Sequence, residues 1–244
     1  MAAFGKAHLM GEMKRQIWPL DMEREGWVPV TEEKNHRELF RNDLIRVYMA
    51  VLPPGSHTEY HRHDQDTLYI VIAGGSSSTD TVEGRAPYRF GRSVVLWRKM
   101  AMLFSRALCG YVRLPTGSAM FMANRSLPII HAVKAAPGNT SPMLLMGIEF
   151  LSRGPTSAGR PRESSDNISN MVDVRTVELA IEQAFVMRYS GIEELREMLN
   201  MSARGILAVA VSGMAAGNIF YAGEGGGTGA IAQVATSGFV VALT

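Results

Sequence analysis

Cysteine is almost missing: Cys109 is the only one among 244 residues. An intrachain disulfide and a thiolate zinc cluster are both excluded, since each needs at least two thiols. Excess charge of one sign is missing too. The 25 Lys and Arg stand against 23 Asp and Glu, a formal net charge of +2. The cations are spread along the chain, with no long basic run, which argues against nucleic acid or an anionic membrane as partner. Long apolar runs are also lacking. Residues 1–22 contain Lys6, His8, Glu12, Lys14 and Arg15, so no cleaved secretory leader is expected. The longest nearly apolar stretch, residues 93–112, is interrupted by Arg98, Lys99 and Arg106, and no spanning helix is expected. A cytoplasmic location follows as the expectation.

What is present is a series of short apolar segments closed by turn residues. LIRVYMAVL (44–52) runs into Pro53-Pro54-Gly55, and TLYIVIA (67–73) stops at Gly74-Gly75. Residues 119–123, 129–133 and 143–150 read the same way. Together they predict an all-β sandwich or barrel. Residues 152–170 (SRGPTSAGRPRESSDNISN) have little to bury and read as an exposed linker. Beyond it the pattern recurs in weaker form, with strands expected at 185–189, 206–211 and 234–243; ILAVAV stops at Ser212-Gly213 much as TLYIVIA stops at Gly74. Laying Gly213 on Gly74 puts Asn200 and Ser202 where the first half has His61 and His63. The GEGGGTG stretch (223–229) lacks the Lys-Ser/Thr ending of a phosphate loop and reads as a hairpin connection. From Gly75 to Gly117 the chain is longer than a hairpin requires. An insertion near 90–112 is expected there, as a lid, an oligomer contact or a membrane-surface element, with plain packing on the barrel or a partner subunit the blander choice. The 16 Met residues are best read as core filler.

The segment that carries chemistry is Gly55-SHTEY-His61-Arg62-His63-DQD-Thr67-LYIVIA-Gly74. Residues two apart on a strand share a face, so His61 and His63 aim the same way and Arg62 the other. Neutral imidazoles suit iron, zinc, nickel or copper, but two are too few for a tight site. This spacing resembles the first motif of the cupin superfamily: Gly, five residues, His-x-His, three or four residues, Glu, six residues, Gly. Every interval is kept, and Thr67 stands at the Glu position. A second segment, Gly117-SAMFMA then Asn124-Arg-Ser-Leu-Pro128-Ile-Ile-His131-Ala-Val, resembles the second cupin motif. There Ile129 replaces the usual Gly, and Ala135 replaces the Asn four residues after the His.

The resemblance implies an all-β fold: a jelly-roll-like cupin barrel over 41–151, preceded by an N-terminal extension (1–40) and followed after the linker by a partial, degenerate second cupin-like domain (171–244), a bicupin-like plan. It also implies one divalent transition metal ion on His61, His63 and His131. With Thr67 a weak ligand, the set resembles the three-His site of the thiol dioxygenase branch, which favours Fe(II) over Zn, Ni or Mn. Gln65, two beyond His63, is the runner-up ligand, and Glu59 and His57 have the same parity earlier on the chain. Glu149 is the candidate general base, with a surface ion pair as its alternative. Tyr48, Thr67, Tyr69, Phe121 and Met122 are candidate walls of a substrate pocket. The leading expectation is a metal-dependent enzyme acting on a small organic molecule, oxygenase chemistry first and isomerase or lyase chemistry second. A non-catalytic binder or sensor competes with it. The enzyme predicts an intact three-His cluster with an open position; the binder predicts histidines bonded to one another or blocked. A homodimer fits either.

Overall fold

The computed structural model describes residues 26–83, 88–90, 110–125, 129–151, 177–181, 183–201, 203–213, 216–223 and 237–243. The linker at 152–170, most of the insertion expected near 90–112, and Ser202 lie outside them. One sheet contains, in spatial order, β1 (Val28–Pro29), β4 (His61–His63), β10 (Ile129–Ala135), β6 (Gly75–Glu83) and β8 (Val112–Leu114). The other contains β2 (His36–Arg41), β3 (Ile45–Leu52), β11 (Met143–Phe150), β5 (Thr67–Ala73), β9 (Ala119–Met122) and β7 (Tyr88–Phe90). From β3 to β11 successive strands alternate between the two sheets without a break, and eight of them, β7 aside, make up the barrel. Those eight strands form two four-stranded sets, β3-β11-β5-β9 and β4-β10-β6-β8. That is the jelly-roll order, the double Greek key shared by cupins. Among the described residues no ladder joins the two sheets, so the barrel is not closed. Two strands, β1 and β2, come from residues expected to form an extension, and both are hydrogen-bonded into these sheets.

A third sheet, order β12-β13-β16-β14-β15, is made by Val177–Ile181, Ala184–Tyr189, Gly238–Leu243, Gly205–Ala210 and Ile219–Gly223 respectively. It packs on the outer face of the six-stranded sheet. Strand parity decides which side chains go where. In β5, Thr67, Tyr69 and Val71 point to the barrel interior, while Leu68, Ile70 and Ile72 point outward, where they join Leu207, Val209 and Val241 in one core. Both faces of β5 and β11 are therefore covered, which explains why TLYIVIA and MLLMGIEF are nearly continuous apolar runs and not alternating ones. The far face of the third sheet is covered by the helix α1 (Ile192–Leu199) through Leu195 and Met198.

That helix departs from the sequence expectation. IEELREML combines strong helix formers with apolar residues three and four apart, and Glu193 and Glu194 occupy its first turn, where they favour the positive end of the helix dipole. Asn200, aligned by sequence with His61, is the residue that ends this helix. No helix among the described residues is long and apolar enough to cross a membrane.

Candidate metal centre

The central strands of the smaller sheet carry the candidate ligands. His61 and His63 lie on β4, and His131 on β10 is the residue directly paired with His61. All three are buried. Ring centroids stand 4.9 Å apart for His61 and His63, 4.6 Å for His61 and His131, and 5.0 Å for His63 and His131. The Nδ1 of His61 lies 2.8 Å from the Glu59 carbonyl. It donates there, which leaves Nε2 as a bare lone pair, and that Nε2 faces the Nε2 of His131 at 3.0 Å. His131 Nδ1 is buried and has no hydrogen-bond partner among the described residues.

A fourth histidine joins them. His36, at the start of β2, has its ring 4.6 Å from that of His61 and 6.2 Å from that of His63. The candidate ligand atoms of His36, His61 and His63 lie within 4.8 Å of one another. Sequence reasoning passed over His36 because it falls outside both motifs. The available signal was Glu33-x-x-His36, a carboxylate three residues before an imidazole. In the structure Glu33 Oε2 lies 2.5 Å from His36 Nδ1.

Burial sets the electrostatics. It pushes His61 down to about 4, helped by the neighbouring His36 and opposed by the Glu59 carbonyl and Glu33. Burial, reinforced by the other histidines, holds His63 and His131 well below the ordinary imidazole value. For Glu33, burial pushes upward, but the hydrogen bond and charge of His36, with His61 and Asn35, bring it below the usual carboxylate range.

Glu149 lies on the interior face of β11, paired in register with Arg46 on β3. Its Oε2 is 2.9 Å from Arg46 Nη2, and its Oε1 is 3.6 Å from His63 Nδ1. The Arg46–Glu149 pair is thus buried in the interior, not the surface pair weighed from sequence. Burial raises the Glu149 carboxyl despite the opposing pull of Arg46. Next to it the Tyr69 hydroxyl lies 3.2 Å from His63 Nε2 and accepts from the Tyr48 hydroxyl at 3.2 Å. Burial raises Tyr48 well above the usual phenol value. Gly147, opposite Tyr48 across the ladder, makes this placement possible: a Cβ there would sit 2.2 Å from Tyr48 Cζ.

The remaining candidates separate by parity. Tyr48, Tyr69 and Met122 cluster with Val30 and Ile129 on the interior side. Thr67 is also interior, donating to the Gln65 carbonyl at 2.8 Å and accepting from Asn124 Nδ2 at 3.3 Å. Phe121 does not line this interior. Paired with Leu68 and one residue out of phase with Met122, it belongs to the core beneath the third sheet. The runner-up ligand Gln65 lies beyond the end of β4, where the period of two no longer applies, and its Oε1 accepts from Arg125 at 2.8 Å. Glu59 and His57 precede β4 and are exposed; Glu59 pairs with Lys34 at 3.5 Å.

The donor set suits a borderline divalent ion. Burial keeps the imidazoles of His61, His63 and His131 neutral, as ligation requires. Two nitrogens each at the usual metal distance from one ion, at a right angle, would stand about 3.0 Å apart, which is the observed His61–His131 separation.

No family model matches the chain, and no curated protein matches it. Among solved structures it is similar to a cupin domain from Bordetella pertussis Tohama I, at 17% identity over 48% of this chain and 92% of that one, with a TM-score of 0.31. It is also similar to the DMSP lyase DddQ from Ruegeria pomeroyi, at 15% identity over 48% of this chain and 42% of that one, TM-score 0.29. AerE from Microcystis aeruginosa aligns over 87% of this chain and 98% of its own at 9% identity, TM-score 0.41. At these scores the class rests on the chain's own strand order and histidine placement, which define an all-β jelly-roll fold with a histidine group that could hold a metal ion.

Proposed function

We propose that the protein is a mononuclear metal-dependent cupin enzyme acting on a small organic molecule, with His61, His63 and His131 among the ligands. The observation that carries this is the convergence of buried, neutral imidazoles from β4 and β10, two of them with facing Nε2 atoms 3.0 Å apart. A bound divalent transition ion would supply Lewis-acid polarisation and, if it were Fe(II), a redox centre for dioxygen. Fe(II), Zn, Ni and Mn all fit imidazole donors, and Fe(II) is the ion expected for oxygenase chemistry.

The chain's own groups favour proton transfer as the reaction class. Glu149, whose carboxyl burial raises against the pull of Arg46, is suited to take a proton from a small molecule and return it. Arg46 holds its carboxylate in place, and the Tyr48–Tyr69 hydroxyl pair beside His63 extends the path a proton can follow. Isomerase or lyase chemistry uses all of these groups, whereas an oxygenase relies on the histidines and an open position. A non-catalytic binder is supported by two contacts: His61 and His131 stand at a hydrogen-bond distance, and Tyr69 approaches His63 Nε2. The third sheet, in a stretch of chain without histidine, is read as the remnant of a second barrel.

Elemental analysis of the purified protein tests the metal. Near-stoichiometric iron, nickel or zinc, lost in both His61→Ala and His131→Ala, supports the enzyme; protein that stays empty after reconstitution leaves a binding module. Activity that persists without oxygen and falls at least 100-fold in Glu149→Gln would select proton transfer over oxygenation.

A further inference from the structure

We infer that His36 is a further ligand of the same ion and that Glu33 is its positioning residue, so that the centre takes one imidazole from β2, outside both histidine-bearing segments. The inference rests on the metal proposal above. His36 is paired with Ala50, an interior position of β3, and its side chain is 6% exposed while that of Glu33 is fully buried. Its ring lies against that of His61, and the candidate ligand atoms of His36, His61 and His63 fall within 4.8 Å of one another. Buried imidazole nitrogens call for partners, and His36 has Glu33 on one side and the other histidines on the other.

Glu33 settles which nitrogen of His36 is available. The carboxylate accepts from His36 Nδ1 at 2.5 Å, and the nitrogen left to ligate is Nε2. Glu33 itself cannot turn away. Its Oε2 also accepts the Asn35 backbone N–H at 2.9 Å, and its Oε1 accepts Asn35 Nδ2 at 2.9 Å and the Glu59 backbone N–H at 3.2 Å. A carboxylate removed from water and held by four donors is expensive to build. A carboxylate behind a ligating imidazole fixes the ring's tautomer and orientation and raises its basicity. Glu59 links the two halves of the arrangement, since its N–H binds Glu33 and its carbonyl binds His61 Nδ1. One short segment therefore orients ligands on two strands. An alternative, a structural Glu33–His36 ion pair with the imidazole protonated, would leave no lone pair for ligation.

The test uses full-length protein stripped of metal and reloaded with Co(II). The wild type should show four paramagnetically shifted, exchangeable imidazole N–H resonances; three would overturn the inference and leave the metal proposal standing. His36→Ala should weaken Co(II) binding 10- to 100-fold in competition titrations and change the visible spectrum, and Glu33→Gln should weaken binding 10- to 100-fold while keeping four shifted signals. Unchanged affinity and spectrum in folded His36→Ala would overturn the inference. His61→Ala separates the two failures: it should abolish binding if the centre exists at all. Wild-type protein that binds no Co(II) would overturn both proposals.

Discussion

Three neutral, buried histidines make the metal-free protein sensitive to acid at the scale of single residues. His61 titrates near 4 in the folded state against an ordinary value of 6.5, so below 6.5 the unfolded chain binds more protons than the folded one. Its contribution to stability is full above 6.5 and is lost as the pH falls through 4. Chemical denaturation at steps between pH 7 and 4 should show the midpoint of the metal-free protein falling steadily over this window, and His61→Phe should flatten the fall. The Arg46–Glu149 pair gives a second expectation. Glu149→Leu strands a buried guanidinium and should cost about 3–5 kcal/mol in urea unfolding, while adding Arg46→Met should recover most of that loss. His61, His63 and His131 were legible in the sequence because motif spacing and strand parity are local properties. His36 was not, because it stands outside both motifs and only tertiary packing brings β2 up to the histidines of β4.

Gly147 decides much at the scale of elements. Its missing side chain gives Tyr48 room between β3 and β11, and Tyr48 in turn reaches Tyr69 and, through it, His63. Gly147→Ala should displace the Tyr48 ring, destabilise the protein by roughly 1–3 kcal/mol, and alter the metal spectrum without touching a ligand. Strand positions were largely readable, since β3, β5, β9, β10, β11, β13, β14 and β16 all fall within or beside expected apolar segments. Facing was readable only where parity had an anchor. The histidines anchored β4, but nothing anchored β9, and Phe121 turned out to face away from the interior shared by Met122 and Tyr69. Parity also failed at strand ends, as Gln65 and Glu59 show.

The whole molecule holds together through the apolar layer between the barrel's outer face and the third sheet, where Ile45, Val47, Leu68, Ile148 and Phe150 meet Val186, Leu207, Val209 and Val241. Asp66 fastens the same junction, accepting from Gln183 Nε2 at 3.1 Å and from the Arg125 backbone N–H at 2.9 Å. A chain ending at residue 170 should therefore expose a large apolar sheet face, bind a hydrophobic dye strongly and aggregate. Val209→Asp in the full chain should lower barrel and third-sheet signals together in a single unfolding transition, measured by hydrogen exchange across both. By itself the sequence determined the all-β class, the strand segments and the histidines of β4 and β10, because alternation, turn residues and motif spacing act over a few residues. Only the tertiary structure decided that His36 and Glu33 join the centre, that Glu149 pairs with Arg46 inside the barrel, and that Phe121 serves the junction. Each of those depends on which strands become neighbours, and that is set by burying the faces of three sheets against one another.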